Sequence, residues 1–173
     1  MGSGGGVSFE EELPRSTGDT LCALAAEKPP ANRGRGLAAE ILRAMRVIGA
    51  CEGLQRLIAP VRPSLKDRYL LAAIERYLTW RRGDGTHLDL WLRVHEQLGA
   101  RIGPSLPNSM RISGAVAEWE DWTGLLLPES GEYVFPQGLG PLHVDRARDV
   151  ATYWEPNIWM IHPDIGPLDA TVP

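Results

Sequence analysis

Arg33-Gly34-Arg35-Gly36 stands directly before Leu37-Ala38, between an apolar run (Leu21-Cys22-Ala23-Leu24-Ala25-Ala26) and an amphipathic stretch that starts at Leu37. This junction constrains the chain more than any other segment. Glycines let the backbone turn its N–H groups toward one point, and the first turn of a helix leaves four N–H groups without partners and carries partial positive charge. Two arginines add full charges at the same mouth, so Arg33 to Ala38 has the chemistry of a phosphate cradle. On these six residues alone, an ordinary glycine turn with solvated arginines reads equally well.

The flanking pattern narrows the choice. Leu37, Ile41, Leu42, Met45 and Ile48 recur at spacings of three and four, as one face of a helix lying on a sheet, and the pattern stops between Gly49 and Gly53. Leu54 to Val61 reads as the next strand, which makes the order strand, loop, helix, strand. With Arg33, Gly36 and Ala38 on an Arg/Gln-x-x-Gly-x-Gly/Ala pattern at that junction, the chain resembles the GNAT-type N-acyltransferase superfamily. The segments 59–69, 74–80, 88–95 and 110–124 are similar to a group of actinobacterial GNAT-like proteins, and the likeness runs from about 19 to 163.

The resemblance implies an α/β (α+β) fold: a partial GNAT-like mixed sheet with helices on it, followed by a β-rich C-terminal extension. It also implies acetyl-coenzyme A or another acyl-coenzyme A as co-substrate, gripped by Arg33, Gly34, Arg35, Gly36, Leu37 and Ala38. Tyr69 is the best positional match for the tyrosine that protonates the leaving thiolate, although from the residues a tyrosine packing one face of an amphipathic helix beside Tyr77 is the reading favoured over it. Where many members carry an asparagine that contacts the pantetheine arm, this chain has Pro63-Ser64, so Ser64 is the candidate for that contact. In the superfamily a longer stretch precedes the cradle than the 32 residues found here. The chain is therefore expected to be the C-terminal portion of the fold, and residues 1–6 to be a linker or tag remnant before a single domain, 7–173. Two functions follow: an acyltransferase acting on an amine, or a truncated, split or engineered module that acts by assembly. A strand near Thr20 to Ala26 without an upstream neighbour predicts a homodimer, a higher oligomer, or a second chain supplying the missing half.

Composition sets outer bounds. With 173 residues, 43% apolar and 23% charged, the chain can bury one core. Its net charge of −4 argues against nucleic acid and anionic membrane as partners, and no apolar run approaches the ~20 residues of a bilayer span. A cytoplasmic location is the default. Cys22 is expected in a buried strand and Cys51 near a helix end, both as reduced thiols; His87, His95, His143 and His162 are too scattered for metal-ligand spacing.

Further along, Ser64 is expected to cap a helix from Leu65 to Trp80, and Leu90 to Leu98 to form another that ends before Gly99. Pro104 to Pro107 reads as a loop and Ser109 to Ser113 as a short strand. Ser113 should cap a helix bearing Val116, Trp119 and Trp122 that Gly124 stops. Strands are then expected at 132–135, 142–145, 151–154 and 158–162, with the tryptophans buried where this tail folds back on the sheet. Glu118, Glu120, Asp121, Glu129 and Glu132 read as a solvated acidic face, and Glu75 with Arg76 and Arg93 with Glu96 as surface charge pairs on helices.

Overall fold

A computed structural model describes residues 18–24 and 37–165. Its centre is a mixed six-stranded sheet. Strand β1 (Thr20–Cys22) pairs in parallel with β2 (Arg56–Val61), and between them in sequence runs helix α1 (Leu37–Cys51). β2 pairs antiparallel with the C-terminal half of β6 (Val150–His162), and β5 (Leu142–Asp145) pairs with its N-terminal half. β4 (Gly131–Tyr133) extends the sheet beyond β5, and β3 (Arg101–Gly114) follows β6 along its other side.

α1 packs more tightly on the sheet than its apolar spacing suggests. Leu42 and Gly49 are its buried residues, while Ile48 points outward at 59% exposure. A Cβ on Gly49 would lie 2.6 Å from Ile165 Cδ1, so the absent side chain lets the helix end settle against β1 and the segment after β6. The face centred on Leu42 covers Leu57 of β2. Ala59 and Val61, on the same face of β2, are covered by Ile74 and Leu92 of the short α2 (Ile74–Tyr77) and of α3 (Leu90–Gln97). A second core lies at the far end of β6, where α4 (Val116–Thr123) places Val116 and Trp119 against Leu142, Val144, Ala151 and Tyr153.

Several sequence expectations require correction. The helix expected from Leu65 to Trp80 is broken into a 3-10 turn (Lys66–Tyr69) and the single turn of α2. Lys66 Nζ donates to the carbonyls of Tyr69 and Leu70, which diverts them from the helix ladder. Ser64 and Ser113 do not cap: the residue before the 3-10 turn is Leu65, and Ala115 precedes α4. There Glu118 accepts from the Ala115 N–H, while Ser113 lies inside β3 with its hydroxyl on Thr152. The loop expected at Pro104 to Pro107 is part of β3. Strand β3 borders β6 alone among the described residues, so it tolerates prolines, and its register shifts fall between Ile102 and Ser105 and between Leu106 and Met110.

The two last expected strands form one, β6. Its buried alternation changes phase between Tyr153 and Pro156, opposite the second register shift of β3, so its two halves serve separate cores. Of the tryptophans only Trp119 is fully buried among the described residues; Trp122 is 59% exposed because the second core is already filled. Cys22 is exposed, as is Cys51, and both are free thiols. α3 and α4 match expectation, each ending on a glycine with positive φ, Gly99 and Gly124. The charge pairs Glu75 with Arg76 and Arg93 with Glu96 do not form: the bridge between Arg81 and His87 brings Arg81 to Glu96 at 2.6 Å and the His87 carbonyl to Arg93, while Glu75 accepts from Ser105 of β3.

Candidate functional site

The cradle residues Arg33, Gly34, Arg35 and Gly36 lie outside the described residues; Leu37 and Ala38 form the first turn of α1. The geometry of that helix still locates its mouth. α1 returns to the amino end of β2, where the Leu54 N–H bonds the Gly49 carbonyl, and 15 residues of helix span about 22 Å. Its N-terminus therefore lies toward the carboxyl end of the parallel pair β1/β2, the end of such sheets at which ligands collect.

Among the described residues, the pairing at that same end stops before β2 does. Backbone pairing between β1 and β2 reaches the Ala23 N–H to Ile58 carbonyl bond, 2.8 Å, whereas β2 continues to Val61. By strand alternation the Pro60 carbonyl faces the same side as that of Ile58, and no described residue donates to it. Pro60 has no N–H, so this stretch of edge offers an acceptor alone.

Beyond β2 the chain is pinned by a fully buried carboxylate. Asp89 caps α3 by accepting from the N–H groups of Trp91 and Leu92, and it also accepts from Leu65 N–H (2.9 Å), Ser64 Oγ (3.1 Å) and Tyr77 Oη (2.7 Å). His87 Nδ1 accepts from the Asp89 N–H. Burial first, and then the Asp89 hydrogen bond, push the Tyr77 phenol far above its ordinary range, so it remains a donor. Ser64, the candidate for a pantetheine contact, thus spends its hydroxyl on Asp89. Tyr69 sits 38% exposed on the 3-10 turn, edge-on to Trp80 at 5.1 Å and near Tyr77 at 6.0 Å.

A cleft of about 230 Å³ opens past the carboxyl end of β2. One wall is Lys66, Leu70 and Ile74, the other is Leu139 to Pro141, and its floor is the edge of β6 at Trp154 and Pro156. This is where β6 has lost β2 and has not yet met β5, since the pairings end at Ile158 and begin at Tyr153. Arg62 spans the gap through Glu155 (2.9 Å) and the Gln137 carbonyl. His143 lines the cleft from β5, and its Nδ1 is held at 3.2 Å by Glu132, the residue opposite it on β4. Of the remaining acidic residues named from sequence, Glu118 braces the start of α4, and Glu120 accepts from the Leu127 N–H beside Arg146.

Sequence reasoning missed Asp89, Lys66 and the Glu132–His143 pair. Asp89 carried a legible signal, a carboxylate directly before an apolar helical run. The other two depend on strand register and on a distant carbonyl. Among the described residues no cluster of three metal-binding side chains occurs, and no helix is long and apolar enough to cross a membrane.

No protein-family profile matches the chain. An arginine N-acetyltransferase, avaD, of Aspergillus versicolor is 32% identical over 161 residues, which is 83% of this chain and 56% of that protein. Among solved structures, the loading GNATL domain of CurA from Lyngbya majuscula superposes with a TM-score of 0.54 at 18% identity, over 86% of this chain and 56% of that one. The chain thus spans a little over half the length of either relative. A parallel pair of strands with a helix returning between them, together with these two likenesses, shows that the chain has the GNAT-type N-acyltransferase fold.

Proposed function

We propose that the chain binds an acyl-coenzyme A at the carboxyl end of β1 and β2 and takes part in transferring the acyl group to a small amine. The observation that carries this reading is the meeting, at one end of the sheet, of the α1 N-terminus, the Pro60 carbonyl, to which no described residue donates, and the cleft. Arg33 and Arg35, directly before α1, add charge for phosphates to the N–H groups of its first turn. The Pro60 carbonyl accepts from an amide of an extended arm laid along β2. When bound, acyl-coenzyme A supplies the thioester carbonyl that an amine attacks. His143, steered by Glu132, is the imidazole placed to accept the amine's proton, as an oriented histidine suits a general base near neutral pH. The curated relative is named for arginine, which fits a small amine as acceptor.

Calorimetry with coenzyme A tests the reading. Micromolar to submillimolar binding is expected; Arg33→Ala and Gly36→Val each weaken it ten-fold or more, and Arg62→Ala leaves it nearly unchanged. His143→Gln should retain that binding and lose acetyl transfer to a panel of small amines. Absence of binding at millimolar coenzyme A favours the second reading, a GNAT-derived module that works by assembly. That reading has its own support in Tyr69, whose ring is engaged in an aromatic cluster outside the cleft.

A further inference from the structure

Lys66 is an unusual wall for a cleft. It is 2% exposed, yet none of the ion pairs among the described residues includes it. Its ammonium donates to three backbone carbonyls, Tyr69 (3.0 Å), Leu70 (3.3 Å) and Leu139 (3.2 Å). These contacts satisfy its hydrogens and tie the two walls of the cleft together, but carbonyl dipoles leave a full positive charge in a poorly solvated place. Burial alone pulls its pKa below the usual lysine value, with no carboxylate acting against it. A buried charge without a counter-ion is costly.

The rest of the lining is apolar with two donors free. Leu70, Ile74, Leu139, Pro141 and Pro156 share the lining with Trp154, whose ring also carries the Arg111 guanidinium at 5.7 Å. Asn108, an exposed residue, is on the lining, and the Gly140 N–H has no partner among the described residues.

We propose that the cleft binds a carboxylate carried on a short apolar arm, with the Lys66 ammonium as its counter-charge. Because every Lys66 hydrogen is already used, the lysine attracts by charge while Gly140 N–H and the Asn108 amide donate directly to the carboxylate oxygens. The arm lies on Trp154 and the prolines. With His143 on the same lining, the ligand is an amino acid: its carboxylate at the Lys66 wall, its amine toward the imidazole. The role of that ligand as acyl acceptor rests on the acyl-transfer reading; the carboxylate site does not.

The test compares N-acetyl-leucine with N-acetyl-leucinamide, probes that differ only in the charged group, by calorimetry and by two-dimensional NMR of the full chain without coenzyme A. The carboxylate should bind ten-fold or more tightly than the amide and shift the Gly140 amide and Trp154 indole signals. Lys66→Met should remove the preference, and Trp154→Ala should weaken both probes several-fold. If Lys66→Met does not fold, the wild-type preference together with the Trp154→Ala loss decides the matter. Equal affinity for the two probes, or shifts confined to another surface, overturns the proposal. Coenzyme A titration reports separately: carboxylate preference without coenzyme A binding keeps the site and removes its acceptor role, whereas coenzyme A binding without the preference sinks this proposal alone.

Discussion

A single buried carboxylate, Asp89, organises the segment that leads from β2 to the cleft. It gathers five donors from three stretches of chain, and each would be left without its partner by Asp89→Ala. Loss of a helix cap plus an unsatisfied buried phenol predicts a cost of about 3 kcal/mol or more, visible as a lowered midpoint in urea. Leu65→Ala, which keeps the backbone donor, should cost less. The buried histidines make a second prediction. His95 Nδ1 and His162 Nε2 are 3.0 Å apart, and the other nitrogen of each ring has no hydrogen-bond partner among the described residues. Burial pushes both down to about 4; the His162 ring adds to this at His95, and Arg46 adds to it at His162, where the Leu98 carbonyl acts the other way. Their folded values lie below the unfolded value of ~6.5, so their contribution to stability is complete above pH ~6.5 and is lost as the pH falls toward 4. Denaturation midpoints at pH 7.5, 6 and 5 should fall steadily; a flat profile would show that the pair is charged or solvated.

At the scale of elements, β6 holds the sheet together by serving two cores, and β3 accommodates the change of phase with its own irregularity. Gly103 lies where this edge is tightest: a Cβ there would meet Ile161 Cδ1 at 2.9 Å and the Trp159 carbonyl at 3.0 Å. Backbone cannot move as a side-chain tip does, so Gly103→Ala is expected to cost about 1–3 kcal/mol despite alanine's lower unfolded-state entropy. Thermal unfolding of that variant beside Gly83→Ala, where nothing lies within 4 Å, would measure the difference. Local pattern was enough to read α1, α3, α4 and the strands on either side of α1, because apolar spacing and glycine stops act within a few residues. It failed from Leu65 to Trp80 and from Pro104 to Pro107. In the first, the Lys66 ammonium and the Asp89 carboxylate take over backbone groups that a helix would have used; in the second, an edge position excuses prolines that a central strand would reject. The cleft was illegible for the same reason, since Lys66 meets Leu139 across 73 positions of sequence.

For the whole molecule, the outer side of β1 matters most. Among the described residues β1 has β2 as its one neighbour, with a pairing of three residues. Light scattering at micromolar concentration is expected to give a dimer or larger assembly, and a monomeric mass would show that this edge recruits no second copy. A competent acyl-coenzyme A site should also raise the melting temperature on addition of coenzyme A, since ligand at ~100 times its dissociation constant adds roughly 2.7 kcal/mol. The order in which the strands are laid down has a kinetic consequence. β2 waits for β6, about a hundred residues later in the chain, to supply its antiparallel neighbour, and Ile158 and Met160 complete the core over Ala59 and Val61. During synthesis the first two strands and α1 leave the ribosome with that core open, so productive folding is post-translational and slow, as closure of long loops requires. A stop codon before residue 158 removes Ile158 and Met160 and should leave the core over Ala59 and Val61 unfilled, so that segment of a shortened chain is expected to be protease-sensitive.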